Sequence, residues 1–380
     1  MPFSAALSRN DTVMTHVLLD GIAFTNAYQR GIARYVAELL KATTTPCTLV
    51  LDGPAALKPP PGTRTLSRRE HFPTSRYNYP LRAWRKACRR LLPTALPDPA
   101  IWHATYFSSP PASAAATIVT VHDLIAEALP DFHGNAGWEI TRRKSLIKDA
   151  AAIIAVSQAT ADAFMHVYPE CAPRVRVIHH GADHFVARDH GSDRVSPDST
   201  RPFALFVGNR GGYKNWLTAI DAVASLHWPS DLTLAFVGRP FSEPELLALR
   251  YRGIQDRVTN LGPLNDERLS AAYRSAAVFV FPSMIEGFGF PILEAQAQGT
   301  PVAASDIPVF REIGGDDAFE RFACLDADRM ALAVARATTA NRSDQLRAAG
   351  LENVKRFTWA ECARKTETVW RDVSESNSLR

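Results

Sequence analysis

The stretch VFVFPSMIEGFGFPILEAQAQGTPVAAS, residues 278–305, reads as one supersecondary unit. VFVF is a short, wholly apolar, β-rich run of the kind that makes a strand buried on both faces. A glycine-bearing loop follows, then a helix with Pro291 at its start and Gly299 just past its end. PVAAS returns as a second strand. Strand, helix and strand in that order require a crossover, hence a parallel sheet with helices on its faces.

The same grammar extends outward. FALFVG (203–208) leads into WLTAIDAVASLH, LTLAFVG (232–238) into EPELLALRYR, and RVTNLG into DERLSAAYRSA; Ser242 and Glu245 have the spacing of a capping box. In the first half the strand candidates are THVLLD (15–20), CTLVL (47–51), TIVTVH (117–122), IIAVS (153–157) and RVRVIHH (174–180). Helical segments alternate with them: RGIARYVAELLKA, GWEITRRKSLIKDAA and QATADAFMHVY. VARDHGSDRVSPDSTRP (186–202) is polar and aperiodic, which suits a linker. The expectation is an α/β protein of two doubly wound, Rossmann-like domains, residues 1–185 and 203–356. Residues 357–380 supply a last amphipathic helix. In such sheets ligands bind beyond the carboxyl ends of the strands, so the loops after strands should hold the chemistry.

The chain has 380 residues, enough for two sizeable cores. Its N-terminus, MPFSAALSRNDTV, lacks an apolar h-region, and no run approaches a spanning helix. Cys47, Cys88, Cys171, Cys324 and Cys362 are scattered without a CxxC pair. These features predict a cytoplasmic protein without a disulfide framework or structural zinc.

Three loops carry candidate chemistry. In the quoted stretch, Glu286 and Glu294 stand eight positions apart around a loop whose Gly287 and Gly289 permit close backbone approach. The helix opening there offers unpaired N–H groups to an anion, and carboxylates suit sugar hydroxyls. In VGNRGGYKNW (207–216), Arg210 and Lys214 bring fixed positive charge to a helix entrance, able to stabilise a departing diphosphate without a metal. In VHDLI (121–125), His122 and Asp123 end a buried strand. Gly31 enters the helix after the first strand, where backbone N–H groups could meet a phosphate, and His103 in IWHATYF is a further cleft candidate. Neither the P-loop pattern nor GxGxxG occurs.

EGFGFPILE resembles the EX7E motif of family 4 glycosyltransferases, which have the GT-B fold, two Rossmann-like domains facing across a cleft, and retain anomeric configuration. RGIARYVAELL, VHDLIAEALPDFH, IIAVSQAT, VGNRGGYKNW, NLGPLNDERLSAAYRSA, FVFPS and GTPVAASDIPVFREIGGD are similar to family segments in the expected order, from about Asp20 to Trp359. The resemblance implies that Glu286 contacts the donor sugar and that the backbone of Phe288, Gly289 and Phe290 lies near the sugar and β-phosphate. It further implies Glu294 at the nucleotide ribose, Arg210 and Lys214 at the diphosphate, and His122 beside the reacting centre. Asn209 stands where the family often places arginine, and Arg210 follows one position later. The donor implied is a nucleotide sugar, with GDP-mannose preferred from resemblance to O-antigen and polysaccharide mannosyltransferases; no metal or other cofactor is expected. A nucleotide-sugar epimerase, a phosphorylase of the same architecture and a non-catalytic sugar-nucleotide-binding module are the competing readings. A phosphorylase needs a pyridoxal lysine, which the sequence does not reveal.

The net charge of +4 is unevenly spread. Between Arg64 and Arg90 nine basic residues face one acidic residue, Glu70. Within YPLRAWRKACRRLLP (79–93), Leu81, Trp84, Cys88, Leu91 and Leu92 recur at helical spacing, and Arg82, Arg85, Lys86, Arg89 and Arg90 fill much of the remaining face. A basic amphipathic helix carrying tryptophan suits an anionic membrane surface. That predicts a peripheral protein at the inner face of the membrane, meeting a lipid-linked glycan acceptor, with no nucleic-acid partner. The protein should co-sediment with anionic but not neutral vesicles at low salt. Changing those five basic residues to glutamine should abolish this, since each contributes about 1 kcal/mol near the surface. Indifference of the unmodified protein to anionic vesicles would refute the membrane reading.

Overall fold

The computed structural model describes residues 16–25, 30–51, 55–67, 100–111, 114–132, 134–185, 195 and 201–378. The expected basic helix at 79–93, with Trp84, Arg82, Arg85, Lys86, Arg89 and Arg90, lies outside the described residues, as does most of 186–202.

One sheet contains β1 (His16–Asp20), β2 (Cys47–Leu51), β3 (Thr65–Ser67), β4 (Ala100–Ala104), β5 (Ala114–Val121), β6 (Ala152–Ala155) and β7 (Val175–Val177), in the order β3-β2-β1-β4-β5-β6-β7. Its helices are α1 (Arg30–Ala42), α2 (Ile125–Ala128), α3 (Ala136–Ile147) and α4 (Gln158–Val167). The second sheet contains β8 (Phe203–Val207), β9 (Thr233–Val237), β10 (Val258–Gly262), β11 (Val278–Phe281), β12 (Val302–Ser305) and β13 (Glu320–Phe322), in the order β10-β9-β8-β11-β12-β13, every neighbouring pair parallel. With it run α5 (Trp216–Ala224), α6 (Glu243–Tyr251), α7 (Asp266–Ser275), α8 (Phe290–Ala297), α9 (Pro308–Gly314), α10 (Ala327–Ala337), α11 (Ala340–Val354) and α12 (Trp359–Ser378). These are two parallel-sheet, Rossmann-like domains, the α/β architecture anticipated from the sequence. By packing, the chain separates into two compact units: Met1–Thr120, Leu146–Ile153 and Ala363–Arg380 as far as described, and Val121–Ser145 with Ile154–Cys362.

The strands that read as apolar runs are buried on both faces, β11 completely. The four described cysteines are free thiols. No helix among the described residues is long and apolar enough to cross a membrane. Two expectations need correction. RVRVIHH does not remain a strand to its end: only Val175–Val177 lies in the sheet, because His179 and His180 leave it to meet Glu312 and an aromatic cluster. His103 is not a cleft residue but a fully buried link in the first unit. The Trp370 indole N–H, which can only donate, lies 3.2 Å from Nδ1 and fixes that nitrogen as acceptor. Nε2 therefore carries the proton and donates to Thr120 Oγ1 at 2.8 Å. In the same unit, the Glu367 carboxylate of α12 accepts from the backbone N–H groups of Thr44 and Thr45, at 2.7 and 2.8 Å, and fastens the turn between α1 and β2.

Candidate functional site

In the second sheet the chain steps from β8 outward to β9 and β10, then returns to the other side of β8 with β11. The direction of winding reverses between β8 and β11, and a doubly wound sheet opens a crevice beyond the carboxyl ends of the two strands at such a point. The loop after β8 carries Lys214; the loop after β11 carries Glu286. They meet: Lys214 Nζ donates to Glu286 Oε1 at 2.5 Å, with only 14% and 12% of the two side chains exposed. The ammonium also lies 5.0 Å from the centroid of the Phe281 ring and 5.3 Å from that of Tyr213. Burial alone would lower the Lys214 pKa, but Glu286, with help from Tyr213 and Asp123, raises it, so the ammonium stays charged through the neutral range.

Backbone contacts fix both loops. The Met284 N–H donates to the Tyr213 carbonyl at 2.8 Å, tying one to the other. Asn215 adopts the left-handed conformation that ends the Gly212–Lys214 turn and starts α5. The Gly287 carbonyl accepts from Ser157 Oγ at 2.7 Å and Thr160 Oγ1 at 2.8 Å, so the start of α4 clamps the glycine loop. On its other side Gly287 lies against the backbone of His122: a Cβ there would fall 1.6 Å from the His122 carbonyl oxygen. The close approach that Gly287 permits is therefore to protein. Gly289, at φ 97°, turns the chain into α8. Glu294 is the fifth residue of α8, and its buried carboxylate accepts from the Tyr273 hydroxyl at 2.9 Å.

The aromatic residues of the loop face inward. Phe288 is buried, 5.1 Å from Phe290 in an edge contact, and His180 stacks on Phe290 at 5.1 Å with the planes parallel to within 1°. His122 is half-buried, its ring centroid 5.8 Å from that of His180. Burial first, then the neighbouring His122 and His179, hold the His180 pKa well below the usual histidine value, so His180 packs as a neutral ring. His179 pairs with Glu312 at 2.6 Å, and Glu312 also accepts the N–H groups of Gln158 and Ala159 at the start of α4.

Thus His122, Lys214, Glu286 and the Phe288–Phe290 segment converge within one unit. Arg210 is also in that unit but turns aside. Its Nε and Nη2 donate to Glu245 at 2.9 and 3.2 Å, and Nη2 also to the carbonyls of Arg239 and Pro240. Nη1 is buried and has no hydrogen-bond partner among the described residues. Gly31, exposed in α1, belongs to the other unit. Sequence reasoning missed Ser157, Thr160, Tyr273, His179, His180 and Glu312. The adjacent histidines ahead of a glycine were a usable signal, but a serine that bonds a carbonyl 130 positions away leaves no local trace.

Two family models divide the chain between them. Glycosyltransferase Family 4 matches residues 29–184, and Glycosyl transferases group 1 matches residues 189–350. The phosphatidyl-myo-inositol mannosyltransferase of Mycobacterium leprae is 34% identical over 183 residues, 46% of this chain and 47% of that protein. The alpha-maltose-1-phosphate synthase of Mycobacterium tuberculosis is 32% identical over 273 residues, 62% of this chain and 67% of that protein. Among solved structures, Anabaena HepE in complex with UDP-glucose superposes with a TM-score of 0.66 at 15% identity, covering 96% of this chain and all of that one. The chain spans about half the length of the first curated relatives it matches. It belongs to glycosyltransferase family 4, and its fold class is that of the GT-B enzymes.

The contact between Gly287 and His122 yields a test. Backbone cannot move aside as a flexible side chain would, so Gly287→Ala should lose about 3 kcal/mol or more of stability, at the upper end of overpacking costs. Urea denaturation followed by far-UV circular dichroism measures this. A midpoint equal to that of the parent would show that the two loops are not packed in this way.

Proposed function

We propose that this family 4 enzyme is a retaining glycosyltransferase that moves mannose, or a related hexose or deoxyhexose, from a nucleotide sugar to a hydroxyl of a lipid-linked glycan. GDP-mannose is the first donor to test, and cell-surface polysaccharide biosynthesis at the inner face of the membrane is the setting. The observation that carries this reading is the Lys214–Glu286 pair at the reversal of winding in the second sheet. A cation and a carboxylate adjoin where a glycosyl phosphate would need both. The carboxylate accepts hydroxyls of the sugar, and the ammonium stabilises the charge that develops on the departing diphosphate. The phosphatidyl-myo-inositol mannosyltransferase relative supports mannose and a lipid acceptor; HepE, solved with UDP-glucose, makes that sugar the competing donor.

In this reading Lys214 holds the diphosphate. The backbone of Phe288, Gly289 and Phe290 lies along the sugar and β-phosphate, Glu294 holds the ribose, and His122 sits beside the anomeric carbon. The glycosyl–phosphate bond breaks through an oxocarbenium-like state. The acceptor oxygen attacks from the face the diphosphate leaves, and the departing phosphate oxygen takes the acceptor proton. Configuration is retained without a protein nucleophile, and no metal takes part.

The test is incubation with GDP-mannose, UDP-glucose and their relatives, with and without EDTA, following the anomeric protons by NMR. Transfer or hydrolysis that gives the donor's own anomeric configuration and persists in EDTA is expected; inversion or a strict need for Mg²⁺ would sink the proposal. Lys214→Ala should lower turnover by about 10²–10³, the scale of losing one transition-state donor. Glu294→Ala should weaken binding of free nucleoside diphosphate, whereas Glu286→Ala should spare it and impair transfer. Equal losses of nucleotide affinity in the two variants would contradict the division of roles.

A further inference from the structure

Four consecutive residues at the start of α4 are gripped from two sides. The hydroxyls of the outer pair, Ser157 and Thr160, both donate to the Gly287 carbonyl, at 2.7 and 2.8 Å. Ser157 Oγ also accepts the Thr160 N–H at 3.0 Å, as the cap of the helix. The N–H groups of the inner pair, Gln158 and Ala159, donate to a carboxylate of another helix: Glu312 of α9 accepts them on Oε1 and Oε2, at 2.7 and 2.9 Å. The first turn of α4 is thus held between Glu312 and the carbonyl of the residue after Glu286.

Glu312 takes a third bond. His179 Nε2 lies 2.6 Å from Oε1, and because a carboxylate only accepts, that nitrogen carries the proton. Burial would raise the Glu312 pKa, but the bonds from His179, Ala159 and Gln158 prevail and lower it, so the group is charged through the neutral range. The same helix supports the glycine loop at a second point. Phe310 lies against Gly289, where an added Cβ would fall 3.1 Å from its Cε1. Its ring stacks on Phe281 at 4.9 Å, and Phe281 is the ring beside Lys214 Nζ.

We propose that Glu312 is a positioning residue for glycosyl transfer: it fixes the first turn of α4, and through Ser157 and Thr160 the Gly287 carbonyl, so that Glu286 meets the sugar at one set angle. The proposal rests on the donor reading above, in which Glu286 accepts hydroxyls of the sugar. Glu286 is bracketed by two backbone anchors, the Met284 N–H on the Tyr213 carbonyl and the Gly287 carbonyl on α4. The second anchor is only as firm as the turn that supplies it. Without the carboxylate, two first-turn N–H groups and the His179 N–H lose their acceptor and the turn relaxes toward water, carrying both hydroxyls with it.

The experiment compares the parent full chain with Glu312→Gln, Glu312→Asp, the double variant Ser157→Ala/Thr160→Val, and Glu312→Gln in that double background. Kinetics use GDP-mannose and UDP-glucose as donors. Glu312→Gln keeps the side chain's shape but removes its charge and one acceptor oxygen. It should lower kcat about ten- to a hundredfold with the donor KM unchanged, the scale of a reacting group displaced by about 1 Å. Glu312→Asp, which keeps both acceptor oxygens, should recover part of that loss, and it is read in the same way should the glutamine variant not fold. In the background without the two hydroxyls, Glu312→Gln should lower kcat no further, since the link to Gly287 is already cut, yet should still lower the urea midpoint. A mere helix cap would lower the midpoint and leave the kcat of the folded protein alone. Parent-like kcat in Glu312→Gln overturns the proposal, as does a full further loss in the double background. Hydrogen exchange read by mass spectrometry needs no turnover: Glu312→Gln should speed exchange in 158–162 and 284–290 relative to 327–337, and unchanged exchange in 284–290 also overturns the proposal. Absence of both donor turnover and thermal protection by GDP or UDP in the parent refutes the donor reading and the role in transfer with it. Intact turnover and protection with parent-like kcat in Glu312→Gln refutes the role of Glu312 alone.

Discussion

The ion pair between Lys214 and Glu286 is the contact on which the arrangement of the site depends. Both ends are largely withdrawn from water, and a buried pair stripped of one partner loses about 3–5 kcal/mol because the remaining charge stands uncompensated. That penalty disciplines the backbone on both sides. The turn ending at Asn215 must deliver the ammonium, and the loop after β11 must deliver the carboxylate, each to within a hydrogen bond of the other. The Tyr213–Met284 backbone bond and the Ser157 and Thr160 clamps on Gly287 hold that geometry without using the charged groups themselves. Both charges thereby remain paired beyond the carboxyl ends of β8 and β11, where the winding of the sheet reverses.

The two cations of the loop after β8 are four residues apart and have different fates. Arg210 is committed to Glu245, whose carboxylate also caps α6 through the Ser242 N–H at 2.8 Å and takes a further pair of bonds from Arg239. Burial would raise the Glu245 pKa, but the bonds from Arg210, Ser242 and Arg239 prevail and bring it to about 2. The linkage sign follows: with a folded value below the ordinary carboxylate value of 4.5, this network stabilises the fold above that value and loses its contribution as pH falls toward 2. Lys214 instead shares its carboxylate with no other cation at hydrogen-bond distance among the described residues. Of the two cations, Arg210 is thus held in a network of several partners and Lys214 in a single ion pair.

Much of this was legible in the sequence, for identifiable reasons. VFVF and FALFV are short apolar runs followed by glycine-bearing loops, so strand, loop and helix followed from composition and punctuation. The capping box at Ser242 and Glu245 is a four-residue signal and appears as such. Lys214 and Glu286 were each readable in their own loops, but nothing in either loop states that they touch, because that depends on strand order. Longer-range bonds were illegible for the same reason. Glu312 reaches His179 and the start of α4 across more than 130 positions, and His103 looked like a strand-end candidate until Trp370, 267 residues later, was found to occupy its ring. β13 was missed because ERF is three residues long with a charge at its centre.

The alternation within EGFGF accounts for how one short loop can be both rigid and open. Phe288 and Phe290 are anchored in an aromatic cluster with His180, and the indole of Trp359 lies 6.0 Å from His180. A charged imidazole at the centre of that cluster would be costly to bury. The depressed pKa of His180 keeps the cluster apolar, so its packing survives the ordinary pH range. With two rings fixed inward, the intervening glycines need no side-chain anchors. Gly287 can lie on the His122 carbonyl, and Gly289 can turn with positive φ into the start of α8. The side chain that remains outside the cluster is Glu286. The phenylalanines thus do for the loop what a disulfide or metal does elsewhere: they fix the backbone so that a single carboxylate can be presented to Lys214 with little freedom to turn away.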